Sequence, residues 1–247
     1  MGFVARNYDQ PGFGVSTVVR NLYRALQESE RSEQHFFFSD QLHNDLYPEK
    51  LVHVSPLAKS SFSKLWWDHV SLSAKCRRYQ IDTVLFPYHV RSLFLGCHSV
   101  VIIHDLMYHL FPNDWSDLER AYMQLGTEYS LREADAIIVP SQSTAQDIRR
   151  LFPQSACKLH VIPWGISENF SPQSMDKKME TFRSCDIAKD FVLVIGSDHP
   201  RKNTRVALEI FKSVQHLIPH DFVFVGPSFG IDTTWKAISA PRELRER

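Results

Sequence analysis

Three short stretches carry residues whose types and spacing could do chemistry. Gly12-Phe13-Gly14-Val15-Ser16-Thr17 places two glycines just ahead of an apolar-periodic run. Glycine lets a backbone approach a ligand closely, and a helix start offers an anion free N–H groups and partial positive charge. His104-Asp105 directly follows the run Val100-Val101-Ile102-Ile103. Ligands of open α/β sheets sit beyond the carboxyl ends of strands, so this histidine is placed to meet substrate. It could donate a hydrogen bond or move a proton near neutral pH. Pro200-Arg201-Lys202-Asn203 lies between a strand-like run and a helical pattern. Two cations there suit a diphosphate, Arg by bidentate contact and Lys as a point charge.

Each stretch has a plainer alternative: a tight loop without ligand, a His-Asp pair capping the next loop, an exposed basic loop. Thr17 stands where a dinucleotide fingerprint wants its third glycine, and no carboxylate ends the run Phe36-Phe37-Phe38, which argues against nicotinamide binding. His104 and His109 have no third ligand at metal spacing, so no metal is expected.

The elements that must position these residues follow from apolar runs alternating with helix-patterned segments, the signature of βαβ units and a parallel sheet. Phe3-Val4-Ala5 reads as the first strand, followed by a helix with Val15, Val18, Val19, Leu22 and Leu26 on its apolar face. Further strands are expected at 36–38, 51–54, 83–86, 100–103, 136–139 and 159–162. A long helix is expected from about Ser116 to Glu133, and another toward Leu151, capped by Ser141 or Ser143. Between Pro163 and Lys189 the pattern loosens. The chain therefore reads as a domain over 1–163, a linker over 164–189 and an incomplete second α/β domain over 190–247. The segment Ser63 to Tyr79 looks helical, with Leu65, Trp66, His69, Leu72 and Cys76 on one face. With Lys59, Lys64, Lys75, Arg77 and Arg78 around it, the helix either packs Leu65 and Trp66 on the sheet or makes a weak membrane-surface contact through 59–78.

Composition narrows the classes. Lys+Arg and Asp+Glu are equal at 28 each, which gives no electrostatic case for nucleic acid. Cys76, Cys97, Cys157 and Cys185 are far apart, without the spacing of a zinc site or disulfide framework, so a reducing cytosol is expected. No apolar stretch approaches the roughly 20 residues needed to span a bilayer.

Taken in order, Gly12–Gly14, Ile103-His104-Asp105-Leu106, Ala134-Asp135-Ala136-Ile137-Ile138-Val139-Pro140-Ser141, Val161-Ile162-Pro163-Trp164-Gly165-Ile166 and Gly196…Arg201-Lys202-Asn203 resemble family 4 glycosyltransferases. The His-Asp-Leu form with Pro112 downstream is most similar to the mannosyltransferase-like branch. The resemblance implies a GT-B fold of two Rossmann-like domains, the second incomplete here. It implies a retaining transferase moving a hexose, mannose in that branch, from a GDP- or UDP-linked sugar to a glycan or lipid-linked acceptor, without metal or other cofactor. It assigns His104 and Asp105 to the catalytic site and Gly12, Gly14, Arg201 and Lys202 to the donor phosphates. A cytoplasmic enzyme, peripheral at the inner membrane face where it meets lipid, is the expectation.

Three departures bear on that expectation. Val15-Ser16-Thr17 stands where the family often has a basic residue, and Ser197 follows Gly196 where it often has arginine. The family's Glu-x7-Glu segment, which binds donor sugar and ribose, is expected beyond Arg247, so the chain reads as truncated. The competing readings are a transferase impaired by a partial donor site, a non-catalytic glycan- or partner-binding remnant, and a sugar-nucleotide epimerase of the same fold.

Overall fold

Short runs rich in β-branched and aromatic residues form the strands, as a parallel sheet covered on both faces requires. The computed structural model describes residues 1–5, 14–28, 35–39, 51–53, 65–166, 170–188, 190–196 and 202–226. The chain divides into two compact units, Met1–Gly165 and Ile166–Arg247.

The first unit is built on seven strands: β1 (Gly2–Val4), β2 (Phe36–Ser39), β3 (Leu51–His53), β4 (Thr83–Phe86), β5 (His98–Ile102), β6 (Ala136–Val139) and β7 (Leu159–Val161). They stand in the order β3-β2-β1-β4-β5-β6-β7, and every pairing is parallel. The sequence order reverses between β1 and β4, the point at which a doubly wound sheet opens a crevice at its carboxyl edge.

Alternation along the strands sends successive side chains to opposite faces. Val4, Phe38, Val84, Phe86, Val101, Ile103, Ile137 and Val139 face one core. Three helices cover it: α2 (Leu72–Arg78), α4 (Asp117–Glu133) and α5 (Gln142–Leu151), through Leu72, Cys76, Leu131, Ala145 and Ile148. Phe3, Phe37, Leu85 and Ile102 face the other core under α1 (Gly14–Glu28), which contributes Val19 and Tyr23. The short helix α3 (Met107–Leu110) follows β5. Ser116 and Ser141 cap α4 and α5, accepting the N–H groups of Glu119 and Thr144. Such a cap contributes about 1 kcal/mol.

The 65–78 helix departs from expectation in its buried face. Its first part is a π-helical turn, Trp67–Ser71, running straight into α2. A π turn brings residues five apart into line, so Trp67 joins Leu72 and Cys76 in the core. Trp67 is 1% exposed, whereas Trp66 and Leu65 are each 40% exposed. The period of 3.6 residues had pointed Leu65 and Trp66 inward, and the inserted residue turns them out.

In the second unit, β8 (Phe191–Ile195) and β9 (Asp221–Val225) form a two-stranded parallel sheet with Phe191 opposite Asp221. Helix α6 (Met175–Ser184) meets it through Phe182 against Phe191, and α7 (Thr204–Val214) through Phe211 against Phe222. The stretch expected as a linker, 164–189, thus contains a helix, capped by the Ser174 hydroxyl on the Lys177 N–H. Residues 227–247, the end of the expected second domain, lie outside the described residues.

Candidate active site at the strand ends

Beyond the carboxyl ends of β4 and β5 the chain leaves the sheet through Pro87-Tyr88-His89 and Ile103-His104-Asp105. Because β4 and β5 are neighbours, the two exits lie side by side. The His104 ring donates from Nε2 to the Pro87 carbonyl at 2.7 Å. A carbonyl can only accept, so the proton sits on Nε2 and the neutral ring keeps a lone pair at Nδ1. The carbonyl of His104 accepts from the Thr144 hydroxyl at 3.1 Å, tying this exit to the first turn of α5. Asp105 accepts the Met107 N–H on Oδ1 at 3.1 Å and so starts α3.

His89 lies behind His104, with ring centroids 5.8 Å apart and planes 27° from parallel, and it meets the edge of Tyr108 at 6.4 Å. Trp164 lies on another side of His104, centroids 5.6 Å apart. Burial pushes the His89 imidazole down to about 4; Asp105 pulls the other way, while His104 and His109 add to the fall. His104 is lowered too, chiefly by burial, against its bond to Pro87 and the Asp105 carboxylate. Both rings are therefore neutral near pH 7 and act as hydrogen-bonding groups rather than cations.

The loop that carries His89 is held from two helices. Ser92 Oγ lies 2.6 Å from Ser73 Oγ and donates to the His69 carbonyl, and the Leu93 N–H donates to His69 Nδ1 at 3.3 Å. From α4, Ser130 Oγ accepts the Arg91 N–H at 2.9 Å, and the Tyr129 hydroxyl donates to the Leu93 carbonyl. Gly126 of α4 admits Val90 at close range: a Cβ there would stand 2.7 Å from a Val90 methyl. The π turn supplies His69, and so helps position His89 as well as Trp67.

The expected site residues divide accordingly. His104 and Asp105 stand together at the β5 exit. Gly14 opens α1, is exposed, and a Cβ there would meet nothing within 4 Å. Lys202 is exposed just ahead of α7, in the second unit, and Asn203 beside it takes a left-handed conformation. Gly12 and Arg201 lie outside the described residues. Among the described residues no three His, Cys, Asp or Glu side chains gather as a metal site. Sequence reasoning passed over His89 and Trp164. His89 was open to the argument that selected His104, being a polar residue just past a strand end. Trp164 carried no local signal, since only the tertiary fold lays it on His104.

The family model for Glycosyltransferase Family 4 matches residues 13–170, more than half the chain. No curated protein sequence matches the chain. Among solved structures it is similar to WaaG, a glycosyltransferase involved in lipopolysaccharide biosynthesis, at a TM-score of 0.67 and 14% identity over 92% of this chain. It is similar to HepE of Anabaena, crystallised with UDP and glucose, at 0.60 and 16% over 92%. A glycosyltransferase from Rickettsia africae follows at 0.54 and 12% over 91%. These likenesses show the fold, that of the GT-B glycosyltransferases. The chain spans 64% of WaaG, 61% of HepE and 59% of the Rickettsia protein.

Proposed function

The chain belongs to Glycosyltransferase Family 4, and on that premise we propose that it moves a hexose from a nucleotide sugar to a glycan or lipid-linked acceptor with retention of configuration. The observation that carries this reading is the neutral His104, fixed at a strand end beside the switch point with Nδ1 left to accept a sugar hydroxyl. Asp105 shapes the same exit. Gly14, where nothing in the described fold demands a glycine, leaves room for the donor phosphates near the N-terminus of α1. Gly12, Arg201 and Lys202 complete the diphosphate contacts, and these cations offset the charge of the departing diphosphate without metal or other cofactor.

UDP-glucose is the first donor to test, because HepE was crystallised with it. His104-Asp105-Leu106 with Pro112 downstream keeps GDP-mannose as the second. Exposed Leu65 and Trp66, with Lys75, Arg77 and Arg78 farther along the helix, favour weak contact with a membrane surface and a cytoplasmic protein peripheral at its inner face. Among the described residues no helix is long and apolar enough to cross a membrane. A second reading, a non-catalytic glycan- or partner-binding form, is favoured by the 64% span of WaaG.

Titration calorimetry with UDP and GDP, paired with release of nucleotide from UDP-glucose and GDP-mannose, tests the proposal. Binding that Gly14→Ala and Lys202→Ala each weaken about tenfold, with unchanged melting temperature, is the expected outcome, since each loses roughly 1.4 kcal/mol. Glycan binding with no nucleotide affinity would move the second reading ahead.

A further inference from the structure

We propose that Trp164, His104 and His89 form a subsite for an uncharged pyranose ring, with Trp164 as its stacking platform and the two imidazoles as its hydroxyl partners. This rests on the sugar-transfer reading above and adds to it a sugar class and two residues. Trp164 belongs to neither core cluster of the sheet, yet it lies 5.6 Å from His104 with 37% of its surface exposed. A large ring held in place, half open to solvent and contributing to no core, is free to pack against a ligand. The face of an indole carries partial negative charge and attracts the partly positive C–H groups lining one face of a pyranose.

A pyranose also needs hydrogen-bonding groups at its rim. His104 offers Nδ1, because Nε2 is committed to Pro87. His89 is 7% exposed and makes no hydrogen bond to another described residue. Such a group is costly to bury unless something pairs with it. The charge around the rings decides which sugars fit. Asp105 is the carboxylate that acts on both imidazoles, and no lysine or arginine among the described residues does. A uronic acid would bring a second carboxylate beside Asp105 without a cation to pair it, which costs more than its hydroxyls return.

Saturation-transfer NMR on the full chain, with methyl glucoside, methyl mannoside, methyl glucuronide and UDP in separate tubes, tests this. The expected result is transfer to the neutral glycosides at least tenfold above that to methyl glucuronide. Trp164→Ala should abolish it, Trp164→Phe should retain it, and His89→Gln should weaken it, all with UDP signals unchanged. Trp164 is partly exposed and outside the core, so its variants keep the fold, which circular dichroism verifies. Equal transfer to methyl glucuronide, full transfer in Trp164→Ala, or no transfer to any glycoside in the wild type would overturn the subsite. Loss of UDP signals alone, with the glycoside pattern as expected, would sink the transfer reading and leave the subsite standing.

Discussion

Burial of His89 beside His104, His109, Tyr108 and Asp105 couples its protonation to folding. Its folded value of about 4 lies below the ordinary 6.5, so the unfolded chain takes up a proton first as pH falls. Above pH 6.5 both states are neutral there and His89 adds no slope. Between pH 6.5 and 4 each unit of pH removes about 1.4 kcal/mol, a loss on the order of 3 kcal/mol in all. Urea titrations across that window should show the midpoint falling with pH, and His89→Gln should flatten the fall. An unaltered slope in the variant would mean that another group is responsible. At this scale the sequence revealed residue type and little of environment. Both histidines follow strands, but nothing local distinguishes a buried ring from an exposed one such as His98, whose Nδ1 meets Asp135 at 2.8 Å.

The helix over 65–78 shows how far periodicity carries at the scale of the element. The sequence pattern placed a helix there, and a helix is there. Its buried face was misread because one π turn shifts every residue before it by about 100° relative to those after it. Trp67→Ala should therefore cost about 3–5 kcal/mol, as for a large aromatic removed from a core. Trp66→Ala should change stability by less than about 0.5 kcal/mol. Chemical denaturation of the two variants decides between the faces, and equal costs would remove the π turn from the account. The strands were easier to read. Ala136–Val139 and Thr83–Phe86 are short runs of apolar, mostly β-branched or aromatic residues, each ended by a proline or turn residue, and their boundaries emerge as expected. Ser141 was one of two capping candidates, and its hydroxyl is the one that accepts the Thr144 N–H.

Across the whole molecule the two units differ in how well their sheets are covered. Val84, Val101 and Ile137 in the first are fully buried, while Val192, Leu193 and Ile195 of β8 are exposed. Parallel strands are ordinarily covered on both faces, and a two-stranded sheet is marginal by itself. Amides of Phe191–Ile195 should exchange with deuterium well before those of Thr83–Phe86, by hydrogen-exchange mass spectrometry at pH 7. Equal protection would show that the second sheet is as well supported as the first. The order of alternating apolar runs, with their turn residues and caps, determined by itself that the chain forms parallel α/β units, because those signals are local and periodic. It also exposed His104 as a strand-end residue. Which residues meet was decided by the tertiary structure alone. The strand order sets β4 beside β5 and so stacks His89 behind His104. The π turn anchors the loop between them, and the chain leaving β7 lays Trp164 on the same ring. Those contacts join residues 15 to 60 positions apart, a separation at which a local pattern carries no information and the packing of the sheet settles the geometry.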